Sequence, residues 1–193
     1  MIIEVNHMKT NFLRYFAVLV FAGALYSGHA QISFVPGYLI NGKGDTLRGE
    51  LKINPKKEYV NHDKAFFKDP SGVQKNYKPE KVKGYGFADN HYVSFTEDDE
   101  ARFYKRLANG SIVLYKCSFE VINKNEVSYD YEYFLYKEGD KKLTPVKENK
   151  FKKQLQEWMN GSELANDYQE DKKFNVESAI DVVNKYNDWK KNN

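Results

Sequence analysis

"GYLINGKGDTLRGELK", residues 37–52, carries four glycines: Gly37, Gly42, Gly44 and Gly49. Dense glycine either cradles a phosphate or turns a chain, and two motifs separate these cases. A P-loop follows its second glycine with Lys and Ser/Thr, the groups that hold phosphate and magnesium. Gly44 and Gly49 have the spacing, but Glu50 and Leu51 follow, and a carboxylate there repels phosphate. The dinucleotide fingerprint fails at Leu47, where a glycine is required. Asn41–Asp45 between two apolar runs is turn chemistry, so the stretch is expected to be a β-hairpin.

The same grammar continues downstream. "KAFFKD" and "VQKNYK" flank Asp69-Pro70-Ser71-Gly72, and "VKGYGFA" and "HYVSFTE" flank Asp89-Asn90. "ARFYKRLA" and "SIVLYKCSFEVI" flank Asn109-Gly110, and "EVSYDYEYFLYK" and "KLTPV" flank Glu138-Gly139-Asp140. Five hairpin signals in a row predict an antiparallel meander. Val113, Tyr115, Cys117, Phe119 and Val121 alternate onto one face, as do Val127, Tyr129, Tyr131, Tyr133 and Leu135. About ten such strands need a rolled sheet or a sandwich to cover themselves.

After Val146 the period changes from two to that of a helix. Phe151, Leu155, Trp158 and Met159 form one stripe, ended by Asn160-Gly161, and Ser162 is placed to cap a short helix at "ELANDY". In "VESAIDVVNKYNDWKK", Ala179, Val182, Val183, Tyr186 and Trp189 form another stripe, with Asn175 as N-cap. The expected class is α+β: an antiparallel β-domain over 31–146 followed by C-terminal helices over 147–193.

The first thirty residues are of a different kind. From Met8, which reads as the start of the leader, come Lys9 and Arg14, then an apolar run from Tyr15 to Tyr26 and the small-x-small exit Gly28-His29-Ala30. That order is expected to be a cleaved secretory signal over 1–30, since the apolar run falls short of the ~20 residues that span a bilayer. The expected location is periplasmic or extracellular. Beyond Ala30 stands a single cysteine, Cys117, so stability there is expected from a packed core without an intramolecular disulfide. The net charge of +3 is spread too evenly to suggest a nucleic-acid partner.

Candidate chemistry is sparse. His62 and His91 are the two histidines after the leader, too few for a zinc site, and both are expected at turns or strand ends. Glu97-Asp98-Asp99-Glu100 lacks the alternating oxygens that calcium needs and is expected to be a solvated loop. No nucleophile elbow, Ser-x-x-Lys or His-Glu-x-x-His occurs, and no cofactor motif is found. Cys117 is expected to be a buried thiol. Tyrosine is abundant, fifteen in all. Tyr85, Tyr92 and Tyr104 are expected on neighbouring strands. Tyr129, Tyr131 and Tyr133 share a face that either packs a core, as Val127 and Leu135 suggest, or presents rings to a partner.

"GYLINGKGDTLRGELK", "AFFKD…VQKNYKPEKVKGYGF", "YKRLANGSIVLYK" and "VVNKYN" together resemble a group of uncharacterised exported proteins of Bacteroidetes bacteria. The resemblance implies an envelope or secreted protein and supplies no functional residues. The leading expectation is a non-enzymatic exported β-rich protein that binds an envelope protein or surface glycan, with Tyr129, Tyr131 and Tyr133 as candidate surface. A cell-envelope hydrolase using carboxylates among Asp98, Asp99 and Glu100 is the second reading. A carrier of a hydrophobic ligand is the third.

Overall fold

Residues 37–52 do form a hairpin. Strands β1 (Ser33–Asn41) and β2 (Thr46–Ile53) pair antiparallel, with Gly37 opposite Gly49 and Leu39 opposite Leu47. Asn41 builds the turn: its Oδ1 accepts the N–H groups of Lys43 and Asp45, both at 2.9 Å. Gly44 sits at φ +101°, a conformation that costs a side chain energy. Gly49 is glycine for another reason, because a Cβ there would strike the Phe67 ring and the Lys68 carbonyl of the next strand.

The computed structural model describes residues 33–54, 57–123, 126–168 and 174–193; the expected leader lies outside them. The remaining strands are β3 (Ala65–Lys68), β4 (Gln74–Tyr77), β5 (Val82–Phe87), β6 (Asn90–Glu97), β7 (Glu100–Ala108), β8 (Val113–Asn123), β9 (Glu126–Tyr136) and β10 (Thr144–Pro145). All ten belong to one antiparallel sheet in the order β10-β9-β8-β7-β6-β5-β1-β2-β3-β4. Each of the five expected hairpins is present. The meander is interrupted once: β5 pairs with β1 rather than with β4. A 3-10 turn, Pro79–Lys81, carries the chain back, and its Pro79 carbonyl accepts the Ser94 hydroxyl at 2.8 Å.

The sheet curls. Flat, β3 and β7 would stand five strand spacings apart, roughly 24 Å. Yet His62, three residues before Ala65 of β3, bonds the Phe103 carbonyl of β7. Those three residues extend at most ~11 Å, and the imidazole with its hydrogen bond adds only about 9 Å more. Only a rolled sheet brings the two together.

Into the roll goes a four-residue helix, α1 (Val60–Asp63), which the period of the sequence does not announce. It packs where β7 and β8 part company. Their ladder runs from Ala108 to Lys105 and stops, although both strands continue. His62, fully buried, reaches Phe103 of β7 there, beside the stacked rings of Tyr85 and Tyr92 at 4.7 Å. Leu39, Leu51, Phe67 and Phe103 complete this apolar centre. On the opposite face of the sheet Tyr104, Tyr115, Cys117 and Phe134 make a second one.

The C-terminal elements pack on the sheet. Helix α2 (Phe151–Trp158), a 3-10 turn (Glu163–Asp167) and α3 (Val176–Lys191) bury Phe151, Leu155, Val182 and Val183 against Ala108, Leu114 and Leu135. Each such fully buried side chain contributes about 1.5–3 kcal/mol. Both expected caps are made: Ser162 Oγ accepts the Leu164 N–H, and Asn175 Oδ1 accepts the Ser178 N–H. Trp189 departs from its expected place in the buried stripe. It is 45% exposed, one turn beyond Tyr186, the last ring the core covers. Among the described residues no helix is long and apolar enough to cross a membrane.

Candidate partner interface

β8 and β9 pair along eleven residues each, from Val113 opposite Tyr136 to Asn123 opposite Glu126. The inner half of this arm is covered by the C-terminal helices and by Glu58, whereas the outer half is exposed. Because side chains alternate, Ile122, Val127, Tyr129, Tyr131 and Tyr133 lie on one face, with Lys116 and Ser118 between them on β8.

The tyrosine stripe is therefore not one surface. Tyr133, half-buried, packs on Phe174 at 4.9 Å and borders the helical core. Tyr131 carries the Lys116 ammonium over its ring at 3.8 Å and donates its hydroxyl to Glu58 at 3.4 Å. Tyr129, 37% exposed, stacks on Tyr59 with ring centroids 3.6 Å apart and planes within 8°. The aliphatics expected to bury the face do so only at its inner end. Leu135 is fully buried, but Val127 is 57% exposed because nothing among the described residues lies over the arm's tip.

Glu58 organises the middle of the face, and the sequence reading missed it. Its carboxylate bridges Lys105 Nζ at 3.0 Å and Lys116 Nζ at 3.1 Å. Burial alone raises its pKa, but the hydrogen bonds and charges of both lysines outweigh that and hold it at about 2. Burial beside this carboxylate pushes the Tyr131 hydroxyl above its ordinary value. The partners stand 47 and 58 residues from Glu58, so no local spacing reveals the cluster.

The other candidate groups separate. Asp98 and Asp99 form the two-residue β6–β7 turn, both at positive φ (48° and 66°), a tight hairpin in place of the expected loop. Asp98 and Glu100 line a hollow of about 280 Å³ with Glu97 and Glu132; Asp99 is not part of it. Two of these carboxylates have structural duties: Glu97 accepts the Leu143 N–H at 3.1 Å, and Glu100 pairs with Arg102 at 2.7 Å. Cys117 is fully buried, and burial pushes its thiol up to about 12. His91 Nδ1 lies 2.6 Å from the Tyr38 hydroxyl at a strand end, as expected. His62 does not: it sits inside the fold on α1. Among the described residues no group of His, Cys, Asp and Glu is arranged to hold a metal ion.

No protein-family model, no curated protein and no solved structure matches this chain.

Proposed function

We propose that this chain is an exported, non-enzymatic β-rich protein that docks on a protein partner of the cell envelope through the outer half of the β8–β9 arm. Export rests on the leader-like residues 1–30, and the envelope setting on the resemblance to exported Bacteroidetes proteins. One observation carries the docking surface. Ile122, Val127 and Tyr129 are exposed by 69%, 57% and 37%, and all three lie on one face of this arm. Scattered apolar residues on a surface are ordinary; several together at the end of a paired arm are the composition of an interface centre. Tyr129 is already stacked on Tyr59, so a partner meets a ring that has lost its freedom before binding.

The hydrolase reading has less support, since Glu97 and Glu100 are held by Leu143 and Arg102 and would have to surrender those partners to act on a substrate. The carrier reading has less still, because Tyr85, Tyr92, Phe103 and His62 fill the roll where a hydrophobe would lodge.

A photo-reactive side chain placed at Ile122 should give one defined cross-linked product in the intact envelope, absent when the probe is at exposed Lys153. Val127→Lys should abolish the product while changing stability by less than about 0.5 kcal/mol. Equal labelling from both positions would remove the basis for the proposal.

A further inference from the structure

A second surface has the chemistry of a small-molecule site. A cleft of about 770 Å³ opens between the end of α2, the 3-10 turn Glu163–Asp167 and the last turns of α3. Its size falls within the range of ordinary ligand pockets. Trp189 contributes an exposed ring, held 5.7 Å from the buried Tyr186 ring at 36°. The opposite rim is the left-handed pair Asn160 (φ +51°) and Gly161 (φ +73°) that ends α2. A Cβ added to Gly161 would meet nothing within 4 Å, so the backbone is open to whatever enters.

Polar groups of both kinds surround the ring. Asn166 Oδ1 accepts from Gln156 Nε2 at 3.1 Å, which fixes the amide and leaves its Nδ2 as a donor with no partner among the described residues. Glu163 and Asp167 supply acceptors, and Asp167 is steadied by Lys185 at 3.6 Å. With Asp167 offset by Lys185, the rim sets Glu163 against Lys190 and has no excess of positive charge to hold a phosphate or any other anion. The polar rim and open mouth disfavour a lipid tail.

What remains is a neutral molecule with one apolar face and a perimeter of hydroxyls. We infer that this cleft is a saccharide site, in which one face of a neutral pyranose stacks on Trp189 while its hydroxyls bond the Asn166 amide and the Glu163 and Asp167 carboxylates. The stacking uses the flat amphipathic indole. The hydroxyls, each donor and acceptor, satisfy groups that neither a cation nor an anion would satisfy together. The inference stands apart from the β8–β9 arm and does not depend on it.

Tryptophan emission tests it directly, since the chain has two tryptophans, Trp158 and Trp189. Trp158→Phe, made in the full chain, leaves Trp189 as sole reporter. Glucose, galactose, mannose and N-acetylglucosamine, each at roughly ten times a Kd of ~1 mM, are the probes. At least one should change the emission saturably. By amide NMR of the protein with native Trp158, the same sugar should shift Gly161 and Asn166, and Trp189→Ala should weaken it at least tenfold with an unchanged melt. Silence from all four sugars, binding that survives Trp189→Ala, or an equal response to inorganic phosphate would each overturn the assignment.

Discussion

His62 Nδ1 lies 2.7 Å from the carbonyl oxygen of Phe103, across the gap where β7 and β8 cease to pair. A carbonyl only accepts, so Nδ1 carries the proton and Nε2 the lone pair. Nε2 is buried without a hydrogen-bond partner among the described residues. The Cys117 thiol points at the same carbonyl from β8, 3.7 Å away. A helix of four residues thus performs part of the work that a β-ladder performs elsewhere in the sheet.

The buried imidazole makes stability pH-dependent. Burial, only partly offset by the Phe103 hydrogen bond and the Glu58 charge, lowers its pKa from 6.5 to about 4; Lys116 and Lys105 push it the same way. Between those values the unfolded chain binds the proton more readily than the folded one, so stability rises with pH. The contribution is complete above about pH 6.5 and declines towards pH 4 by up to about 3 kcal/mol. Glu58, held at about 2, adds a second loss below its ordinary 4.5 as the carboxylate is protonated. Urea midpoints at about pH 7, 5.5 and 4 should fall in that order, and His62→Gln should flatten the upper part of the decline. A flat profile between pH 7 and 4 would contradict the buried neutral imidazole.

Glu58→Gln should cost about 1–3 kcal/mol, because Lys105 and Lys116, 22% and 18% exposed, would face each other without an anion. The loss stays below the ~3–5 kcal/mol of a fully buried pair, as part of the carboxylate remains in water. A double-mutant cycle with Lys116→Met should return a coupling above ~0.5 kcal/mol. Additive losses would mean the bridge is ornamental.

Asn187 ties α3 to the sheet. Its Oδ1 accepts the Ile112 N–H and its Nδ2 donates to the Ile112 carbonyl, both at 2.8 Å. Asn187→Ala leaves two buried backbone groups unpaired and should cost about 2–4 kcal/mol. Asn187→Asp, which keeps the acceptor and loses the donor, should not restore it. Hydrogen exchange at Ile112 should quicken in both, and unchanged protection there would refute the tie.

The legible parts of this fold are those written in neighbouring residues. Asn41 and Gly44 announce their hairpin, Asp69 its own through Oδ1 bonds to the Ser71 and Val73 N–H groups, and Ser162 and Asn175 their caps. Partner choice between distant strands is not written that way. Leu39 opposite Tyr85 is a matter of matching faces, which one strand alone does not disclose. Helix α1 is one turn long and polar, too short for any period. The tyrosine face was half legible: alternation put Tyr129, Tyr131 and Tyr133 together, but what covers each depends on Tyr59, Glu58 and Phe174, contributed from far along the chain.

The β1–β5 seam imposes an order on folding. Every other adjacent pair in the sheet joins strands consecutive in the chain. β1 and β5 meet only by closing the chain from Asn41 to Val82. Relative to a tight hairpin, a tenfold longer loop adds about 2 kcal/mol of closure entropy. If closing this seam limits folding, mutations at Leu39 or Tyr85 should slow refolding more than they speed unfolding, which stopped-flow refolding and unfolding rates would show. During synthesis the first four strands leave the ribosome before their only neighbour across the seam exists. Until β5 follows, β1 waits with one edge open.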